Sequence, residues 1–168
     1  TWYHVGYTIR RALSTMQEAE VVVSNEPVAV ETPPSRIRVL IAADHPIVRE
    51  GLRKLLALEE DIEVVGEVGD GDGVVSGVDL VEPDIVLLDL RMPGMDGLTA
   101  LQKIQKLNRP TKVIVLTASE DKNEFVQAMK LGCSGIVLKQ TGSDLLVKSI
   151  RKVYAGEISL YSHTPAAV

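Results

Sequence analysis

The sequence predicts an α/β fold, a doubly wound, five-stranded parallel sheet with five helices. Three observations carry that prediction. Five short apolar runs (Ile37–Ala42, Ile62–Val68, Ile85–Leu88, Lys112–Leu116 and Gly135–Leu138) alternate with segments whose apolar residues recur at helical spacing. The run Ile85-Val86-Leu87-Leu88 has no polar alternation, the pattern of a strand buried on both faces. It runs into the carboxylate of Asp89 and then into Met92-Pro93-Gly94-Met95-Asp96-Gly97, a turn-forming stretch. Strand–helix units in series give parallel strands, right-handed crossovers and helices on both faces.

The bounds are those of one domain plus an extension in 168 residues. A composition 45% hydrophobic and 24% charged is ordinary for a globular chain, and only 4% aromatics makes the core aliphatic. A formal charge of −5 argues against direct nucleic-acid binding by this segment. The one cysteine, Cys133, cannot form an internal disulfide. No apolar run approaches the roughly 18 residues of a membrane span, and Thr1-Trp2-Tyr3-His4-Val5-Gly6-Tyr7 is too polar for a signal segment. The expected compartment is the cytoplasm. The lack of an initiator Met is read as a processed or partial chain.

In chain order, residues 1–35 form an N-terminal extension. Ile9, Ala12, Leu13 and Met16 predict a short amphipathic helix over Thr8–Ala19, and Ser24-Asn25-Glu26-Pro27 through Pro33-Pro34-Ser35 reads as a linker. The extension reads as a mobile tail or as a helix that docks on a partner or a second copy. The domain proper covers 36–156. After the first strand, Asp44 is a plausible helix cap and Pro46 suits the first turn of a helix with Val48, Leu52, Leu55 and Leu56 inward. The second strand is followed by a segment burdened by Gly71, Gly73 and Gly77, so its helix is expected only from Val74 to Val81. Leu98, Leu101, Ile104 and Leu107 mark the third helix. The fourth spans Asp121–Leu131, with Gly132 as its stop, and the fifth spans Ser143–Ala155 with Leu146, Ile150 and Val153 inward. Residues 157–168 read as the start of a linker.

Parallel strands place their carboxyl ends on one edge, where open α/β sheets bind ligands. Asp89, Thr117 and Lys139 each follow a strand, and Asp44 lies just past another. Two carboxylates near a backbone carbonyl suit Mg2+, which takes a few oxygens and keeps several waters. A carboxylate with a metal and a lysine beside it is set to attack phosphorus and form an acyl phosphate. Each residue also has a plainer reading. Asp89 or Asp44 could cap a helix or turn, Thr117 could be structural and Lys139 a solvated lysine. His45 belongs to the loop or helix start, Asp96 serves the turn after Pro93-Gly94, and Cys133 is a small buried residue.

From Arg36 to Tyr161 the chain resembles the receiver domain of two-component response regulators. The residues that carry the resemblance are Asp89 in Leu-Leu-Asp-Leu-Arg-Met-Pro-Gly-Met-Asp-Gly, Thr117-Ala118 and Lys139. Asp44-His45-Pro46-Ile47-Val48-Arg49-Glu50-Gly51-Leu52-Arg53 and Ala155-Gly156-Glu157-Ile158 resemble the subfamily with a C-terminal LuxR/NarL-type helix-turn-helix. The resemblance implies a flavodoxin-like strand order, 2-1-3-4-5. It implies Asp89 as phosphoacceptor, Mg2+ held by Asp44, Asp89 and the main-chain oxygen of Arg91, and Thr117 with Lys139 as the switch pair. It also implies a sensor histidine kinase as donor, homodimerisation on phosphorylation, and DNA contact only through an output domain absent from this chain. No membrane partner and no enzyme activity are implied. The acid at Arg91 that an aspartyl phosphatase would carry is missing. Three positions depart from the family. Ala43 replaces the first of two adjacent acids, so weaker Mg2+ binding and slower phosphorylation are expected. Ile136 stands where an aromatic switch residue is usual, and Gln140 where many receivers have Pro. With Ala43 and Ile136, a pseudo-receiver that scaffolds partners without phosphorylation is the alternative.

Overall fold

The computed structural model describes residues 8–11, 21–24, 35–92, 94 and 96–161. The chain divides into two units, residues 1–34 and 35–168. In the first, β1 (Thr8–Arg11) and β2 (Val21–Ser24) form an antiparallel pair with Thr8 opposite Ser24 and Arg11 opposite Val21. Thr8–Arg11 is therefore strand and not the start of the expected helix. Val21, Val22 and Val23, like Thr8 and Ile9, are β-branched, and such side chains fit a pleated ladder better than a helical turn. The rest of that predicted helix lies outside the described residues.

The second unit runs β3 (Ile37–Ala42), α1 (Pro46–Leu56), β4 (Ile62–Val68), α2 (Gly71–Val81), β5 (Ile85–Asp89), α3 (Gly97–Lys106), β6 (Lys112–Thr117), α4 (Lys122–Lys130), β7 (Gly135–Leu138), α5 (Ser143–Tyr154) and β8 (Ser159–Tyr161). The sheet is parallel throughout, in the order β4-β3-β5-β6-β7-β8. Counted from β3, this is the expected flavodoxin-like order 2-1-3-4-5 with a sixth strand added. β8 falls inside the segment read as linker. Gly156, at φ +94°, lets the chain reverse after α5, and the Ser159 N–H donates to the Ser134 carbonyl at 3.0 Å.

Strand side chains alternate between two cores. Leu40, Ala42, Val86, Leu88, Val113, Val115 and Ile136 face α2, α3 and α4, meeting Val74, Val78, Ala100, Leu101, Ile104 and Ala128. Ile37, Val39, Ile41, Ile85, Leu87, Ile114, Leu116 and Val137 face α1 and α5, meeting Leu56, Leu146, Val147, Ile150 and Val153.

Two helix starts differ from the sequence reading. The N-cap of α1 is His45, with no side-chain cap bond, so Asp44 does not cap it. α2 begins at Gly71 rather than Val74, because the Asp70 carboxylate accepts the Gly73 N–H at 2.6 Å and supplies the cap. The glycines of this region serve close approach. A Cβ at Gly66 would meet Leu40 Cδ1 at 2.9 Å, and one at Gly77 would meet Leu40 Cδ2 at 3.2 Å. Leu40 is thus seated between β4 and α2, at the place where β4 shifts register against β3.

Candidate functional site

Asp89 is the last residue of β5 and Thr117 the last of β6. The pairing of Asp89 with Leu116 and of Thr117 with Leu138 brings these strand ends to one edge. Lys139 follows β7 directly, and its N–H donates to the Thr117 carbonyl at 2.8 Å. The Asp89 side chain is 1% exposed, yet both its oxygens are engaged. Lys139 Nζ lies 2.6 Å from Oδ2, and the Arg91 N–H donates to Oδ1 at 3.0 Å. A buried carboxylate is tolerated only with such partners. Each oxygen still has lone pairs to offer.

The Thr117 hydroxyl, also buried, accepts the Ser119 N–H at 3.1 Å, which leaves its O–H proton for another acceptor. Ser119 Oγ in turn accepts the Asp121 N–H at 3.1 Å, and Asp121 Oδ1 accepts the Asn123 N–H at 2.9 Å. Three successive bonds therefore lead from Thr117 to the first turn of α4.

Asp44 sits on the loop after β3. Its Oδ2 is 3.7 Å from His45 Nε2, while Oδ1 is buried without a hydrogen-bond partner. A buried carboxylate oxygen with no donor is costly, and it suits a hard cation's ligand. Among the described residues, no hydrogen bond or ion pair joins Asp44 to Asp89, Thr117 or Lys139, and no group of three or more His, Cys, Asp and Glu forms a metal cluster. The edge thus offers the carboxylates of Asp44 and Asp89, and Ala43, next to Asp44 in the chain, is fully buried. Two carboxylates fit a loosely held Mg2+ and not a high-affinity all-protein cage.

The remaining singled-out residues take structural places. Asp96 caps α3, accepting the Leu98 N–H at 3.3 Å, rather than serving only the turn before it. Ile136 is buried among the α2–α3–α4 core. Gln140 Nε2 donates to the Ala118 carbonyl at 3.1 Å, tying two edge loops together. Cys133 is buried, and burial pushes its thiol up to about 11. Arg49 was missed as a site residue. Its Nη1 donates to the carbonyls of Ala43 at 2.5 Å and Asp44 at 3.1 Å. An arginine on a helix carries no sequence signal for which loop it reaches.

A family model described as "Response regulator receiver domain" matches residues 39–151. The chain is 35% identical over 122 residues to the nitrate/nitrite response regulator protein NarL of Escherichia coli K12, covering 73% of this chain and 56% of that protein. It thus spans little more than half the length of that relative. The signal receiver domain of a response regulator NarL from Mycobacterium tuberculosis superposes with a TM-score of 0.71 at 34% identity, covering 74% of this chain and all of that one. The isolated receiver domain of RcsB from Salmonella enterica serovar Typhimurium, solved with the phosphomimetic BeF3−, gives 0.71 at 31% identity over 76% of this chain and 95% of that one. These relatives are response regulators and not enzymes.

Proposed function

The chain belongs to the response regulator receiver domain family, and from that premise we propose that Asp89 accepts a phosphoryl group from a sensor histidine kinase. One observation carries the reading: a nearly fully buried carboxylate at the end of a central strand, paired at 2.6 Å with the one lysine at the end of β7. A carboxylate oxygen of Asp89 attacks phosphorus, the P–N bond of the kinase's phosphohistidine breaks, and the imidazole leaves with the bonding electron pair. Asp89 becomes an acyl phosphate. Lys139 Nζ keeps a negative partner throughout, first the carboxylate and then the phosphoryl oxygens. Asp44, Asp89 and the main-chain oxygen of Arg91 would hold Mg2+, which supplies charge neutralisation at the phosphoryl oxygens when bound. With Ala43 in place of an acid, that binding is weak.

The Thr117 O–H donates to the new phosphoryl group. Drawing Thr117 toward that group moves its oxygen off the Ser119 N–H, and the Ser119–Asp121 relay carries the disturbance to α4. The face of α4, β7 and α5 changes its packing, which biases a two-state equilibrium. In the whole protein this controls homodimerisation and, through an output domain, transcription. The chain works in the cytoplasm; among the described residues no helix is long and apolar enough to cross a membrane.

Acetyl phosphate with Mg2+ tests this. The expected result is a hydroxylamine-labile phosphoprotein that Asp89→Asn abolishes. No phosphoprotein from the parent, or equal yield from Asp89→Asn, overturns it, and a parent without measurable Mg2+ binding favours a scaffolding pseudo-receiver.

A further inference from the structure

We propose that Arg49 is a positioning residue that fixes the loop after β3 so that Asp44 is held as a cation ligand. The proposal rests on the reading of Asp44 given above. Arg49 stands in the first turn of α1 and reaches back over the loop that leads into it. Its Nη1 donates to two successive carbonyls, Ala43 at 2.5 Å and Asp44 at 3.1 Å. Bonds from a charged donor are shorter and stronger than neutral ones, so the pair holds the Ala43–Asp44 peptide units on one point. The other side of the loop is pinned to the sheet, because the Ala43 N–H donates to the Val68 carbonyl at 3.1 Å.

Gly69 completes the device. A Cβ at that position would lie 2.9 Å from Arg49 Nη1 and 3.6 Å from its Cζ, so the guanidinium occupies space that only glycine leaves. Gly69 makes no demand for a positive φ, and its backbone would accept alanine. The value of glycine here is room for the arginine. The result is a loop gripped from α1 and from β4, with the buried, unpartnered Oδ1 of Asp44 at its end.

The arrangement compensates for Ala43. With one acid fewer, cation binding depends more heavily on Asp44 being ordered before the ion arrives, since preorganisation avoids an entropy cost at binding. It also sets up a test by sign. Arg49 is a cation near a cation site. If it acted only through charge, removing it would tighten Mg2+ binding; if it acts by position, removing it weakens binding.

The experiment measures Mg2+ affinity by calorimetry, and peptide-level hydrogen exchange over residues 42–46, in the parent, Arg49→Gln and Gly69→Ala. Gly69→Ala keeps every charge and displaces the guanidinium, and thermal unfolding confirms that each variant is folded. Both variants are expected to bind Mg2+ about tenfold more weakly, the lower end of what loss of a ligand-orienting partner costs, and to exchange faster over the loop. An Arg49→Gln protein that binds Mg2+ as well as or better than the parent overturns the proposal while leaving Asp89 as phosphoacceptor untouched. Loop exchange that is the same in all three proteins also overturns it, whatever the metal does. A parent that binds no Mg2+, with a loop that still loosens in Arg49→Gln, overturns the cation reading of Asp44 and supports the grip of Arg49 alone.

Discussion

Asp89 occupies a poor place for a charge, and Lys139 is what makes it tolerable. The carboxylate is 1% exposed while the lysine side chain is 30% exposed, so the pair is asymmetric: one partner is buried and the other reaches in from the edge. Removing the lysine leaves the buried charge with only the Arg91 N–H. Lys139→Met should therefore lower stability to denaturant by about 1–3 kcal/mol. The double variant with Asp89→Asn should be more stable than the two single effects predict when added, and additive effects in a double-mutant cycle would remove the argument. A second ionic contact lies far from this edge. Arg151 on α5 donates to Asp61 at 2.9 Å through Nε, and to Glu59 at 2.8 Å through Nη2. The Arg151 hydrogen bond holds the Asp61 carboxyl below its ordinary value of 3.8, with burial opposing it. A folded-state pKa below the unfolded one contributes stability above the unfolded pKa and loses it as pH falls through the folded one. Asp61→Asn should thus cost stability at pH 7, by less than about 1 kcal/mol because both partners are half exposed. The difference from the parent should vanish as unfolding is followed below that ordinary value, and a difference independent of pH would show that the ion pair is not its source. The contrast between the two pairs also marks what a sequence discloses. Asp89 and Lys139 were legible because each follows an apolar run, so topology alone placed them on one edge. Arg151 reaches across a long chain separation and Arg49 back into a loop, and no periodicity encodes either.

Elements were legible in proportion to how much of their cause is local. β3, β5, β6 and β7 stood out because burial on both faces demands apolar runs, while the edge strand β4 is interrupted by the exposed Glu63 and Glu67. α2 was read three residues short because its glycines were counted as helix penalties, whereas the Asp70 cap explains the early start and Gly77 leaves room for Leu40. β1, β2 and β8 were missed as strands because short edge or hairpin segments depend on a partner that spacing does not reveal. Glycine substitutions separate these causes. Gly51 lies within α1 with nothing within 4 Å of a built Cβ, so Gly51→Ala should stabilise by up to about 1 kcal/mol through helix propensity. Gly97 is the first residue of α3, and its Cβ would fall 2.4 Å from Leu90 Cα, with the Gly97 N–H donating to the Leu90 carbonyl at 3.0 Å. Backbone cannot step aside as a side-chain tip can. Gly97→Ala should destabilise by about 1–3 kcal/mol and, by displacing Leu90 next to Asp89, also slow phosphorylation from acetyl phosphate. Equal melting temperatures for the two alanine variants would contradict both assignments.

At the scale of the molecule, the sheet separates two cores, and the proposed signal must choose between them. Thr117 lies on the edge, but its relay through Ser119 and Asp121 leads to α4 and so to the core of α2, α3 and α4. Ile136 belongs to that core and offers a β-branched side chain in place of a swinging aromatic ring, so the relay through backbone and hydroxyls is the route left to carry the change. Cys133 reports on it. The thiol follows α4, lies 3.7 Å from Met129 Sδ, and is the one cysteine of the chain. Burial raises its pKa to about 11, so little reactive thiolate exists near pH 8 and labelling by a disulfide reagent should be slow. Repacking of α4 against β7 would admit water, lower that pKa and speed labelling. Beryllofluoride with Mg2+ should therefore accelerate labelling several-fold in the parent and leave Asp89→Asn unchanged. Acceleration lost in Thr117→Val would place the hydroxyl on the route, since valine keeps the shape and removes the bond to Ser119. A labelling rate that beryllofluoride does not change would mean that α4 stays in place, and the signal would then have to leave through α1 and α5, whose core contains no member of the relay.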